Sequence, residues 1–223
     1  MKISNLLFGA NIKIPERRED GTYQFADYTL GFFGAGVAAF IRKDIHSLCR
    51  FGDSTSYVGS DLDKRMTEIY DSYPDELKEM IIPCTFSLYN GDDNISITRK
   101  VFVPTLTMVG SGDNCEIEEG LTWPIFTGRN SRKKTFNSRA ASWWLSSVYS
   151  SDGVWYVDTD GSAYNYGIDP SNTYGVVSAF VIPQSAQIDD TPDNDGSYRL
   201  TELTAYYNVI ASGVKPLASA MGI

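Results

Sequence analysis

The sequence predicts an α+β fold in which strands outnumber helices, and three observations carry that expectation. Aromatic and β-branched residues recur in short runs, with 14 Tyr and 11 Phe in 223 residues, separated by turn-forming stretches that draw on 19 Gly. One strongly periodic helix signal lies at 60–73, and a proline-opened segment follows it directly. The last third returns to strand-like runs broken by Gly, Asp and Ser. A chain of this length buries a full core as one domain with extensions.

The elements follow in order. "GTYQFADYTLGFFGAGVAAFIRKDI" (21–45) alternates aromatic and small residues and reads as early strands, the second running from Gly36 to Asp44. Ser60 is placed to cap "DLDKRMTEIYDSY", because its hydroxyl can accept a first-turn N–H that has no partner inside the helix. Asp61 and Asp63 suit the positive end of the helix dipole, and Leu62, Met66, Ile69 and Tyr70 form one apolar stripe. Pro74 opens a short second helix, "PDELKEMII", that Pro83 closes. "CTFSLYN" and "ISITRKVFVPTLTMV" read as strands on either side of the turn "GDDN" at 91–94. Residues 110–140 read as a long loop. The basic run in it, Arg129, Arg132, Lys133 and Lys134, reads as solvated. Strands are expected at 141–148, 153–158, 162–167 and 174–183, with "TDG" at 159–161 as a tight turn. "DDTPDNDG" (189–196) reads as a polar linker, and "YRLTELTAYYNVIASGV" fits either a last strand or an amphipathic helix.

Composition narrows the function. The net charge of −9 leaves no basic footprint for a phosphate backbone, so nucleic acid is not an expected partner. No segment is long and apolar enough to insert in a membrane, and the run in "MKISNLLFGANIKIPERRED" is too short for a signal peptide. The expectation is synthesis in the cytoplasm. Cys49, Cys84 and Cys115 are odd in number and lack CxxC spacing, so they read as buried small hydrophobes. The lone histidine, His46, reads as structural, and no nucleophile elbow, HExxH or phosphate loop is present. The carboxylate pairs Asp92/Asp93 and Glu118/Glu119 read as solvated. "GDDN" and "DTDG" carry calcium-type oxygen ligands without EF-hand spacing, so no cofactor is expected and a structural calcium stays open.

One stretch stands apart. Of the 29 residues from Ser146 to Tyr174, 20 are Ser, Tyr, Asp, Gly or Asn, and none is Lys, Arg, Glu or Gln. Antibody paratopes use a similar vocabulary. Tyrosine gives large amphipathic contact area at low conformational cost, and Ser, Gly and Asn give adaptable hydrogen bonds. A hairpin region with Ser- and Gly-rich turns would have the same composition.

The flanks "ASWWLSS" (141–147), "VWYVDTDGSA" (154–163) and "YGVVSAFVI" (174–182) resemble a C-terminal module of phage and gut-bacterial proteins. The pattern of that module is WWLRSP, then V-x-x-D-G, then GVRPA before an apolar strand. The module has a C-type lectin-like fold, and some of its members are variable proteins of diversity-generating retroelements, such as receptor-binding adhesins of phage tails. "YVGSDLDKRMTEIYDSYPDELKEMI" is similar to the helical part of such proteins, and the resemblance spans about 20–183. Ser146, Val148, Val177 and Ser178 depart from the pattern, so the arginines expected at 146 and 177 are missing.

The resemblance implies two helices packed on antiparallel strands, with an N-terminal segment at 1–20, the domain at 21–183 and an extension at 184–223. It implies a variable ligand-binding face at about 146–169. The displayed residues would be Ser147, Tyr149, Asp152, Gly153, Tyr156, Asp158, Ser162, Tyr164, Tyr166, Gly167, Ile168 and Asp169. Trp143, Trp144, Leu145, Trp155, Val157, Gly161, Gly175, Val176, Ala179, Phe180 and Ile182 would be the fixed scaffold. Adenine randomisation turns AAC or AAT codons into NNC or NNT, which never encode Lys, Glu, Gln, Met or Trp. That leaves Trp155 as the exception and assigns it to the scaffold.

The function implied is a non-enzymatic ligand-binding protein on a phage tail or particle, a homotrimer that recognises a host-surface protein or glycan. A structural virion protein, in the tail or as a capsid decoration, using the same fold for assembly is the alternative. An enzyme like the sulfatase-activating oxidases, which share the fold, is a third reading. Those use cysteines near the site, whereas no cysteine follows position 115 here.

Overall fold

A computed structural model describes residues 1–90, 93–111, 119–163 and 167–212. The chain is α+β, mostly sheet, with four short helices among the described residues. A six-stranded sheet is built from β1 (Asn11–Arg17), β2 (Tyr23–Gly34), β3 (Val37–Arg42), β7 (Val101–Phe102), β13 (Ala179–Pro183) and β14 (Tyr198–Arg199). Its order is β14-β1-β2-β3-β13-β7. A second sheet, in the order β11-β10-β12-β4, joins β4 (Leu48–Arg50), β10 (Trp143–Ser150), β11 (Gly153–Val157) and β12 (Thr173–Gly175). Two hairpins complete the strands: β5 (Cys84–Tyr89) with β6 (Asn94–Arg99), and β8 (Lys134–Phe136) with β9 (Arg139–Ala141).

The first helix, α1 (Asp61–Ser72), starts where its cap dictates. Ser60 Oγ accepts the Asp63 N–H at 3.1 Å, and Leu62, Met66 and Ile69 are buried. Pro74 stands immediately before α2 (Asp75–Met80). The hairpin of β2 and β3 turns through Ala35 and Gly36, both at positive φ, as a tight right-twisted connection requires.

Several expectations are corrected. The segment 1–20 belongs to the main sheet, since β1 pairs with β2 from Asn11↔Thr29 to Arg17↔Tyr23. Tyr198 and Arg199 add β14 to the same sheet, parallel to β1, before α4 (Thr204–Ser212), so the last segment is both strand and helix. The loop expected at 110–140 contains α3 (Arg129–Arg132) and the β8–β9 hairpin. The strand expected at 174–183 is two strands in different sheets. β12 pairs with β4 and β10, and β13 pairs with β3 and β7. Of 162–167, Ala163 makes only an isolated bridge to Val157, and 164–166 lie outside the described residues.

Half of the basic run is not solvated: Arg129 and Lys133 are exposed as expected, but Arg132 and Lys134 are not. Arg132 and Lys134 are each 7% exposed. Arg132 donates to the carbonyls of Gly161 and Val109 at 2.9 and 3.1 Å, and Lys134 Nζ donates to Arg42 O at 2.5 Å. Cys49 and Cys84 are half-buried rather than buried, and Cys115, Asp92 and Glu118 lie outside the described residues. Glu119, read as solvated, is fully buried. No described helix is long and apolar enough to cross a membrane.

The core also holds a polar cluster. Buried Glu16 takes two hydrogen bonds from Arg42, both at 3.0 Å, and one from the Tyr28 hydroxyl at 2.8 Å. Tyr28 also meets the hydroxyls of Tyr73 and Ser178, so each group taken out of water is partnered.

Candidate functional site

The distinctive stretch begins in the β10–β11 hairpin. Ser150 pairs with Gly153 across a tip of Ser151 and Asp152, and the Ser150 hydroxyl donates to Asp152 Oδ1 at 2.7 Å. The register slips between Trp144 and Val148 and again before Ser150, an irregularity that bends a strand. Successive side chains of β11 alternate between faces, so Trp155 and Val157 point opposite to Tyr156.

The floor is tryptophan. Trp143 and Trp144 are fully buried, and each indole N–H has a carbonyl, Arg132 O and Cys49 O respectively, both at 2.9 Å. From Trp144 the rings step outward. Its ring lies 4.7 Å from that of half-buried Tyr174, which lies 5.0 Å from that of half-buried Tyr156. On the other face exposed Tyr149 stands edge-on to Trp155 at 5.2 Å. Every residue expected in the scaffold is buried.

The described parts of the loop after β11 are small closed turns. Asp158 O accepts the Gly161 N–H and its own N–H donates to Ser162 O, both at 2.8 Å, while Gly161 takes the left-handed φ of +84°. A side chain on Gly161 would run into the backbone of Arg129. Asp158 Oδ1 accepts from the Ser142 hydroxyl and the Thr159 N–H at 2.7 Å. Asp160 accepts the Ser162 N–H and hydroxyl, which hold its carboxyl below the usual range. Asp169 does the same with Ser171. No arginine stands at 146 to pin these loops, but Arg132 does so from α3 through the Gly161 carbonyl.

The structure divides the residues expected to be displayed. Tyr149, Asp152 and Asp169 are exposed, and Tyr156, Asp158, Gly167 and Ile168 are half-buried. Ser147, Gly153 and Ser162 are instead in the interior. Ser147 Oγ donates to Glu119 Oε2 and accepts the Leu106 N–H at 2.8 Å, which ties β10 to two loops. Gly153 is packed against Gly167. Tyr164 and Tyr166 lie outside the described residues. The anchors do not share one surface, since Tyr149 lies on the Trp155 side and Tyr156 on the Trp144 side. Tyr174 was not in the expected set, yet it bridges Trp144 and Tyr156. Its place on β12, one residue before the motif glycine Gly175, is the sequence signal for it.

The residues with chemistry elsewhere are not gathered here. His46 Nδ1 meets Ser47 Oγ at 3.0 Å, and burial holds its pKa below the usual value. Burial also raises the Glu119 carboxyl to about 6, against the pull of its hydrogen bonds from Ser147 and Tyr89. Among the described residues no His, Cys, Asp or Glu grouping has the geometry to hold a metal ion.

The architecture is thus an α+β domain whose second sheet carries a tyrosine-, serine- and aspartate-rich surface over buried tryptophans. A family model matches residues 37–184, from the start of β3 to just past the end of β13, and the chain belongs to that family, described as Domain of unknown function (DUF6273). No curated protein and no solved structure matches the chain.

Proposed function

We propose that the chain is a non-enzymatic ligand-binding protein with a C-type lectin-like fold, displayed on a phage tail or particle. Its surface from 149 to 174 recognises a host-surface protein or glycan, and a diversity-generating retroelement varies that surface. The supporting observation is the contrast across the second sheet and the loop that follows β11. Exposed and half-buried Tyr149, Asp152, Tyr156, Asp158, Asp169 and Tyr174 sit around fully packed Trp143, Trp144 and Val157. A rigid floor lowers the ordering cost of binding, and tyrosine supplies contact area with few rotors. On this reading the protein is a homotrimer, and a structural calcium stays open.

Burial of Ser147, Gly153 and Ser162 narrows the variable set and favours a second reading. In it exposed Tyr149 and half-buried Tyr156 and Tyr174 pack against a neighbouring virion protein and nothing varies.

Deep sequencing of the gene across a source population separates the two. Diversification predicts substitutions at Tyr149, Asp152, Tyr156, Asp158 and Asp169, with Ser147, Gly153, Trp155 and Gly175 fixed. A stretch as invariant as its flanks would overturn the diversified-binder reading and leave the assembly reading.

A further inference from the structure

Among the described residues, one edge of the β5–β6 hairpin is left open. Tyr89 sends its N–H away from β6 to Glu119 Oε1 at 3.0 Å, while Asn90 donates across the hairpin to Asp93 O at 3.1 Å. In an antiparallel pair, inward and outward backbone positions alternate. The register runs unbroken from Cys84↔Arg99 to Tyr89↔Asn94, so the N–H and C=O groups of Thr85 and Ser87 also point away from β6. No described residue accepts from the Thr85 or Ser87 N–H.

That edge borders a cavity of about 530 Å³, which Thr85 and Ser87 help to line. Its other walls include Phe32, Phe102, Val181, Met108 and Trp123, and Leu121 at the rim is 65% exposed. None of the lining residues is charged, in a chain with a net charge of −9. A charged side chain entering the cavity would lose its hydration and find no counter-ion. A backbone edge with alternating free donors and acceptors calls for another backbone, and the cavity beside it calls for apolar side chains at every second position.

We propose that the β5 edge is a strand-acceptor site for an uncharged, extended segment of another protein. The segment pairs with Thr85 and Ser87 and inserts apolar side chains between Phe102, Val181 and Leu121. Glu119 ends the accepting edge by occupying the Tyr89 N–H, which limits the pairing to the Pro83–Ser87 half of the strand. This site is independent of the tyrosine-rich surface, and its failure would leave the binding reading untouched.

Amide exchange of the full chain tests the proposal, with the acetylated and amidated hexapeptide Ser-Val-Ser-Val-Ser-Val as probe. The same peptide N-methylated at alternate residues, made in both phases, is the control. Exchange at Thr85 and Ser87 is expected to slow by roughly tenfold or more with the unmodified peptide, and at least one methylated form should lose the effect. Ser87→Pro removes an outward N–H that β6 does not use, and should weaken binding by roughly tenfold. Equal protection by all three peptides would overturn the proposal, and so would no protection by any. If the dye 1-anilinonaphthalene-8-sulfonate occupies the cavity and the peptide does not displace it, the site takes small apolar molecules instead. Should Ser87→Pro not fold, the exchange result on the unmutated chain decides.

Discussion

Gly153 and Gly167 meet backbone to backbone: a Cβ on either would stand 2.7 Å from the Cα of the other. A Cβ on Gly167 would also stand 2.6 Å from Cδ1 of Tyr149. Neither glycine is needed for its backbone angles, so the constraint is packing alone. Gly153→Ala and Gly167→Ala are each expected to destabilise the chain by about 1–3 kcal/mol, as overpacking does. Chemical denaturation measures this, and an unchanged midpoint for both would show that the contact is not required.

Ser147→Ala should behave as a core substitution. It leaves the Glu119 carboxylate and the Leu106 N–H each short of a partner in the interior. The expected loss is about 1–3 kcal/mol. A surface serine would change stability by a few tenths at most, so thermal unfolding distinguishes the two placements.

Glu119 gives stability a pH dependence of definite sign. Its carboxyl titrates at about 6 in the folded chain against 4.5 for the unfolded one. The folded state therefore holds the proton more tightly, and this group's contribution to stability falls as pH rises from 4.5 to 6 and is constant beyond. Glu119→Gln keeps the shape without the charge, with its carbonyl oxygen able to accept from Tyr89 and its amide able to donate to Ser147 Oγ. It should remove about 2 kcal/mol of that dependence and stabilise the chain at pH 7. Equal slopes for the two proteins between pH 4.5 and 6 would contradict this assignment.

Lys134 acts in the opposite window. Burial lowers it from 10.5 to about 7, with Asp44 opposing and Arg42 and Lys43 adding to the shift. Between those values the unfolded chain binds the extra proton, so stability rises with pH from 7 to 10.5. Lys134→Met should stabilise the chain at pH 7, on the order of a few kcal/mol, and flatten its response to alkali. Urea unfolding at pH 7 and 10 measures both.

The sequence made α1 legible because its signals are local: the Ser60 cap, the early acidic residues and the stripe all lie within thirteen residues. The buried tryptophans were legible for the same reason, since their motif sits on one strand. The misreadings were long-range. Lys134 looks solvated until the carbonyl of Arg42, 92 positions earlier, is brought to it. Ser147 looks displayed until Glu119 arrives from another loop. β1 is not legible locally because "NIKIPER" contains a proline and three charges, and a partner on each side makes it a strand. The division of 174–183 between two sheets is fixed by what each half pairs with, and the local pattern does not carry that information.

The parallel pairing of β1 with β14 has a mechanical meaning. The two strands run the same way, so a pull on the chain ahead of Ile12 and beyond Arg199 draws them past each other lengthwise. Their hydrogen bonds, the Lys13 links to Asp193 and Asp195, and the Tyr207 hydroxyl on Lys13 O would then resist together instead of opening one at a time. A molecule strung between two attachments would be clasped at this edge under load, with the second sheet and its tyrosines shielded from the tension.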